Sequence, residues 1–245
     1  SITGITAPNG DTPIDVVIPD SIEEKPVTKI DCPSYLEPEK QFSAYHVTSV
    51  SIPASVTEIT AQVFTGCQYL TAVTFAAGCE PTFTEEYFGS YSGVFEGCTA
   101  LEAINLPAGT KSLAQNMFFG CNALKSVNLQ ELTAITEIPD SAFAETALEA
   151  VVLPPKVVTV GIGAFYNCVS QPDENGNTHA SIQSVTLNDG LQTINGKAFV
   201  GCGITELTLP DSLTTLGDGL FNGGAFFGCS QLTTIHWPNN KDFTL

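Results

Sequence analysis

The residues of this chain that could do chemistry are eight cysteines, three histidines and 26 carboxylates. Zinc sites need thiolates or imidazoles in close pairs, and no C-x-x-C pair occurs. His46, His179 and His236 are widely separated. None accompanies a G-x-S-x-G nucleophile turn, an H-E-x-x-H metal motif or a phosphate-cradling glycine loop. The loop Asp173-Glu174-Asn175-Gly176-Asn177 clusters oxygens as a calcium loop does. Its sixth and twelfth positions hold Thr178 and Ser184, where glycine and glutamate are needed, so it reads as a solvated turn. Paired carboxylates of the glycoside-hydrolase kind depend on distances that a sequence does not show. A carbohydrate-active enzyme is therefore kept as the third functional reading. The chain is expected to be no enzyme and to use no cofactor or metal.

The cysteines are ordered by something other than metal. Cys67, Cys98, Cys121, Cys168, Cys202 and Cys229 all fall at one position of an internal repeat, where Thr146 stands in one copy. A cysteine recurring at one interior position acts as a small apolar plug. Cys32 and Cys79 lie off this ladder, and the sequence leaves open whether they are free or paired.

The repeat itself has a period of about twenty-three residues, and stretch 101–123 is its cleanest copy. Leu101, Ile104 and Leu106 form an L-x-x-I-x-L strand signature, Pro107 ends the strand, and Leu113, Phe118 and Cys121 follow. Units start at Val47, Leu70, Leu101, Leu124, Leu148, Ile182, Ile204 and Leu232. A later apolar residue (Ile59, Leu113, Ile138, Val160, Ile194 or Leu216) precedes a phenylalanine by five residues: Phe64, Phe118, Phe143, Phe165, Phe199 and Phe221. In the unit starting at Leu70, Phe95 takes that role after an insertion. In the unit starting at Ile204, Phe226 competes with Phe221. Such self-similarity specifies a solenoid in which each coil buries its apolar edge against its neighbours. The A-F-x-G-C segment predicts one helical or 3₁₀ turn on the side opposite the strands. Asp15–Ile22 and Pro26–Ile30, joined by Glu23-Glu24-Lys25, predict a β-hairpin that caps the first coil, since a solenoid end needs a cover. Residues 1–46 are thus expected to be an N-terminal cap with an irregular first coil. Residues 47–245 are expected to form a solenoid of about eight units continuous with it.

The unit L-x-x-[IV]-x-[IL]-P-x-x-[VL]-x-x-[IL]-x-x-x-[AVM]-F-x-[GN]-C resembles the BspA-like, or treponemal-type, leucine-rich repeat family. Stretches 47–69, 101–123 and 182–203 match it almost position by position. The resemblance implies an α/β repeat solenoid: a right-handed leucine-rich-repeat superhelix with a concave parallel β-sheet and short helical or 3₁₀ turns on the convex side. It also implies a secreted or cell-surface bacterial protein with an adhesion role. It carries no catalytic residues to transfer.

Charge narrows the partners. The formal charge is −18, every basic residue is lysine, and arginine is absent. Such a surface repels phosphate backbones and anionic membranes and lacks guanidinium forks, so nucleic acid and nucleotides are excluded as expected partners. No apolar run is long enough to span a bilayer, so no membrane insertion is expected. No signal segment is visible at Ser1, so an extracellular or cell-surface location is an inference. The outward strand positions, from Ser49/Ser51 to Thr234/His236, are small and mostly neutral, without the aromatic or arginine anchors that binding hot spots use. Three insertions, residues 76–93, 169–181 and 217–225, break the pattern, and loops on a rigid scaffold are where function concentrates. The first carries Phe83, Tyr87, Phe88 and Tyr91, which are the candidate ligand-binding residues. The sequence thus predicts a monomeric, non-catalytic adhesion module for a host or cell-surface protein or glycan. The alternative is a structural spacer that displays other domains.

Overall fold

A computed structural model of the chain describes residues 12–31, 41–84, 93–169, 181–217 and 223–240. Each coil contributes three segments, and most of them are bonded to the equivalent segment of a neighbouring coil. The first is the strand signature. Ile14–Val17, Val47–Ile52 and Ala72–Phe75 form one parallel sheet. Beyond it the ladder continues in parallel pairs: Ala103–Ile104 with Ser126–Val127, Ala150–Val152 with Ser184–Thr186, and Glu206–Thr208 with Thr234–His236. Alternate side chains point inward, so Val50, Ile52, Leu101, Ile104, Leu106, Val151, Leu207 and Leu209 are buried.

A second parallel ladder, absent from the sequence expectation, runs through the later apolar position. Lys29–Ile30, Glu58–Thr60 and Thr82–Thr84 form three strands, and a parallel bridge joins Thr82 to Ser112. Glu137–Ile138, Thr159–Val160, Thr193–Ile194 and Thr215–Leu216 form four more. Most of these strands send a single apolar residue inward, such as Ile59, Ile138, Val160 or Ile194.

The third segment is the A-F-x-G-C turn, and it corrects the α/β expectation. Among the described residues there is no α-helix. Helical segments are limited to 3₁₀ turns at Phe42–Ala44 and Leu129–Glu131. Elsewhere the segment is a tight non-helical turn whose N–H groups bond largely to the neighbouring coil. Phe118 N donates to Ala142 O at 2.8 Å, Phe143 N to Ala164 O at 2.8 Å and Phe165 N to Ala198 O at 2.8 Å. Pairing across coils satisfies the donors that a helix would otherwise satisfy internally.

The N-terminal cap also differs from expectation. The antiparallel pair is confined to Ser21–Ile22 and Lys25–Pro26, across a two-residue turn in which Glu23 and Glu24 both adopt positive φ (50° and 63°). Ile14–Val17 does not pair with Pro26–Ile30. It runs parallel to Val47–Ile52, Ile30 enters the second ladder, and Phe42 takes the core position of the turn. This arrangement buries Val16, Ile18, Ile30 and Phe42 against the next coil, which a free hairpin would leave exposed.

The core is a file of phenylalanines. Phe42 meets Phe64 edge-on at 5.0 Å. Phe64, Phe95, Phe118, Phe143, Phe165, Phe199 and Phe226 then stack with centroids 5.0–5.4 Å apart and ring planes within 19°. Phe226 is therefore the core residue of its coil; Phe221 lies outside the described residues. Burying each ring contributes about 1.5–3 kcal/mol, and repetition of that term along the file holds the coils in register.

Candidate binding surface

The turn segments set the geometry of one face. The residue two after each core phenylalanine lies in the left-handed region, which favours glycine: Gly66, Gly97, Gly120, Gly201 and Gly228, with φ between 69° and 76°. Asn167 and Glu145 hold the same conformation at 52° and 57°. That conformation aims the N–H at the neighbouring coil. Gly97 donates to Phe119 O, Gly120 to Ala144 O, Glu145 to Tyr166 O, Asn167 to Val200 O and Gly201 to Phe227 O, at 2.8–3.1 Å. The residues between phenylalanine and the left-handed position are thereby locked into one column: Thr65, Glu96, Phe119, Ala144, Tyr166, Val200 and Phe227.

This column is polar at its N-terminal end and apolar from Phe119 onward. Phe227 is 65% exposed and Tyr166 37% exposed; beside Tyr166, in the same turn, Ile162 is 55% exposed. The sequence reasoning missed it because it weighed outward positions only on the strands and insertions. The signal was present: aligning the x of A-F-x-G-C across coils reads T, E, F, A, Y, V, F.

The residues predicted as a site are placed differently. Phe83 is 2% exposed and packs edge-on against Phe75 at 6.5 Å and Phe95 at 6.3 Å. It is the inward residue of its second-ladder strand, paired with Ile59, and so belongs to the core rather than to the surface. Tyr87, Phe88 and Tyr91 lie outside the described residues.

The strand face carries less. Its central outward residues are small, as at Ala103, Ser126 and Ala150, and charge appears only at its ends. Near the N-terminus Asp15 accepts hydrogen bonds from Ser49 at 2.5 Å and Thr48 at 3.0 Å, which hold its carboxyl below the ordinary value. At the other end Glu206 Oε1 lies 2.6 Å from His236 Nε2, beside an open cleft of about 310 Å³ lined by Thr186, Asp189, Glu206 and Thr208. A second cleft of about 330 Å³ lies between Phe75–Glu80 and Asn105–Gly109, where the strand ladder is interrupted. His46 stacks on Tyr69 at 3.8 Å; His179 and Cys32 lie outside the described residues. Among the described residues, no three of His, Cys, Asp or Glu converge as a metal site, and no helix is long and apolar enough to cross a membrane.

The cysteines do more than fill space. Cys98, Cys121, Cys168 and Cys229 each direct Sγ at the carbonyl of the core phenylalanine one coil earlier: Phe64, Phe95, Phe143 and Phe199, at 3.0–3.3 Å. Cys79, off this ladder, is buried and bonds Val56 O at 3.5 Å. Burial pushes the Cys67 thiol up to about 12 and the Cys79 and Cys168 thiols up to about 11. At physiological pH these are neutral thiols without nucleophilic character.

Comparison with known proteins agrees with this geometry. The family model for the BspA type leucine rich repeat region matches in six copies, over residues 38–171 and 176–242. Among solved structures, a leucine rich cell surface protein of Faecalibacterium prausnitzii is 24% identical, with a TM-score of 0.50 over 95% of this chain and 70% of its own. The pneumococcal vaccine antigen PcpA is 17% identical, with a TM-score of 0.48 over 97% of this chain and 80% of its own. A leucine rich repeat protein of T. pallidum is 20% identical, with a TM-score of 0.43 over 97% of this chain and 80% of its own. No match to a curated protein was found.

Proposed function

Because the chain belongs to the family of BspA type leucine rich repeat regions, we propose that it is a non-catalytic, extracellular binding module that attaches to a host or cell-surface protein or glycan. The observation that carries this reading is the rigid apolar column from Phe119 to Phe227, held by backbone bonds between successive turns and exposing Tyr166 and Phe227. Exposed aromatic rings on a fixed scaffold lose little entropy on binding and are the usual anchors of an interface. The interior offers no competing role, since its phenylalanines and thiols are consumed in stacking coil on coil. Tyr87, Phe88 and Tyr91 add a second set of anchors from the first insertion. Surface proteins among similar folds, such as the F. prausnitzii protein, support the extracellular assignment.

The test is binding of the purified chain to an array of matrix proteins, cell-surface proteins and glycans. Two variants accompany it: Tyr166→Ser with Phe227→Ser, and Tyr87→Ser with Phe88→Ser and Tyr91→Ser. Phe83 is left intact, because its removal would disturb the core. Binding that one variant loses while staying folded locates the site. Absence of any binding on a broad array sinks the proposal and favours a spacer.

A further inference from the structure

The cysteine ladder runs through the interior and reaches solvent at one end. Cys67, Cys98, Cys121, Cys168 and Cys202 are each at most 2% exposed, whereas Cys229 is only partly buried. Cys202 stands one coil earlier at the same place in its turn, in Phe199-Val200-Gly201-Cys202 against Phe226-Phe227-Gly228-Cys229. These two turns are stacked in register. Phe199 N donates to Ala225 O at 2.8 Å and Gly201 N to Phe227 O at 2.9 Å. Gly201 and Gly228 share one conformation, with φ of 76° and 75°. The rings of Phe199 and Phe226 lie 5.3 Å apart with planes within 3°. Like turns related by such a step have equivalent Cα atoms about as far apart, inside the range of about 4.4–6.8 Å that a disulfide needs.

The side chains meet as the backbones do. The Cys202 thiol hydrogen-bonds the Cys229 thiol. Both residues also converge on Phe199 O, which Cys229 Sγ approaches at 3.1 Å and Cys202 N at 3.4 Å. Other members of the ladder differ in partner or in access. Cys168 faces the Thr146 hydroxyl at 3.3 Å rather than an earlier thiol. Cys98 and Cys121 touch thiol to thiol, but both are fully buried, out of reach of a dissolved oxidant. The contact with Cys202 holds the Cys229 thiol below its ordinary value, while the same contact and burial push Cys202 up. Thiolate character and access thus coincide at Cys229, the features of an attacking thiol, with a resolving thiol beside it.

We propose that Cys202 and Cys229 are a redox-active pair that closes to an intramolecular disulfide by exchange with a small-molecule disulfide of the glutathione class. The Cys229 thiolate attacks one sulfur of the small disulfide, forms a mixed disulfide and expels one thiolate. The Cys202 thiolate then attacks Cys229 Sγ and expels the second. The two cysteines lose two electrons and two protons, and the small disulfide takes up both and leaves as two thiols. Oxidising surroundings such as those outside the cell favour the closed form. The bond ties two successive turns covalently and removes the donor from Cys229 to Phe199 O. It is independent of which partner the module binds.

The experiment incubates the folded full chain with oxidised glutathione, quenches with acid, alkylates the remaining thiols and maps every cysteine peptide by mass spectrometry. The expected result is a Cys202–Cys229 cross-link that dithiothreitol reverses. It should form about tenfold or more faster than any link between Cys98 and Cys121. Cys202→Ala should instead retain glutathione on Cys229, and Cys229→Ala should leave Cys202 a free thiol. Circular dichroism checks that the variants are folded, and the map of the parent decides the question whether or not they are. The inference is overturned if Cys202 and Cys229 are both recovered as thiols, or if Cys229 keeps glutathione in the parent. A Cys229 link between two chains overturns it, as does a Cys202–Cys229 link that forms only in denaturant or no faster than one between Cys98 and Cys121.

Discussion

Cys121 Sγ lies 3.0 Å from Phe95 O, so a thiol in one coil donates to the backbone of the aromatic core residue in the coil before it. The contact recurs from Cys98 to Phe64 and from Cys168 to Phe143; the one substitute in the series is Thr146. The Thr146 hydroxyl is a buried donor of similar size, but it bonds Phe143 O of its own coil at 2.9 Å and lies 3.3 Å from Cys168 Sγ of the next.

Cys121→Ala should therefore destabilise the chain by about 1–2 kcal/mol, through a small cavity and a lost donor. Cys121→Thr should cost less. Urea unfolding of the two variants against the parent measures the order, and a threonine variant weaker than the alanine variant would show that the thiol acts by packing alone.

The raised thiols make stability depend on alkaline pH. An ordinary thiol titrates near 9.0, whereas burial holds Cys67 up to about 12. A folded value above the unfolded one gives stability that is complete below pH 9 and lost as pH rises toward the folded value. Each such thiol steepens that loss by about 1.4 kcal/mol per pH unit. Stability should fall from about pH 9 to pH 11, and Cys67→Ala should make the fall shallower. Equal slopes for parent and variant would contradict the sign argument.

The left-handed turn position predicts opposite effects at two sites. A methyl group added at Gly120, where φ is 70°, would meet nothing within 4 Å, so Gly120→Ala encounters only backbone strain and should cost about 1 kcal/mol. Glu145 occupies the equivalent place at φ 57°, and Glu145→Gly should relieve strain and stabilise by about 0.5–1 kcal/mol. Thermal melts of the pair decide it; a destabilised Glu145→Gly would mean that the glutamate side chain makes a contact worth more than the strain.

Phe143 stacks between Phe118 and Phe165 at 5.3 Å on each side and is fully buried. Phe143→Ala should cost about 3–5 kcal/mol. Because coils touch only their neighbours, amide exchange should accelerate most in the adjoining turns and least near Phe64. Uniform acceleration along the chain would instead indicate a single cooperative unit.

Particular residues show how far the sequence could be read. The L-x-x-I-x-L strands were legible because three inward residues recur over six positions, as in Leu101, Ile104 and Leu106. The second ladder was not, since strands such as Glu137–Ile138 and Thr159–Val160 bury one side chain each, and two residues show no period. Phe83 misled for a related reason: it stands thirteen residues after Leu70, where Ile59 stands twelve after Val47, and that one-residue slip made a core residue look like part of a loop. Between Phe221 and Phe226 the sequence offered no choice, whereas stacking on Phe199 at 5.3 Å and 3° selects Phe226.

Local pattern was enough to specify the coil, because period, inward strand residues and core phenylalanines recur in each copy and restate the same burial scheme. The surface was settled by stacking. The exposure of Tyr166 and Phe227 is set where their turns bond to the turns of neighbouring coils. Those relations join residues a full coil or more apart, and exposure is a property of the stacked neighbours rather than of any residue's own pattern.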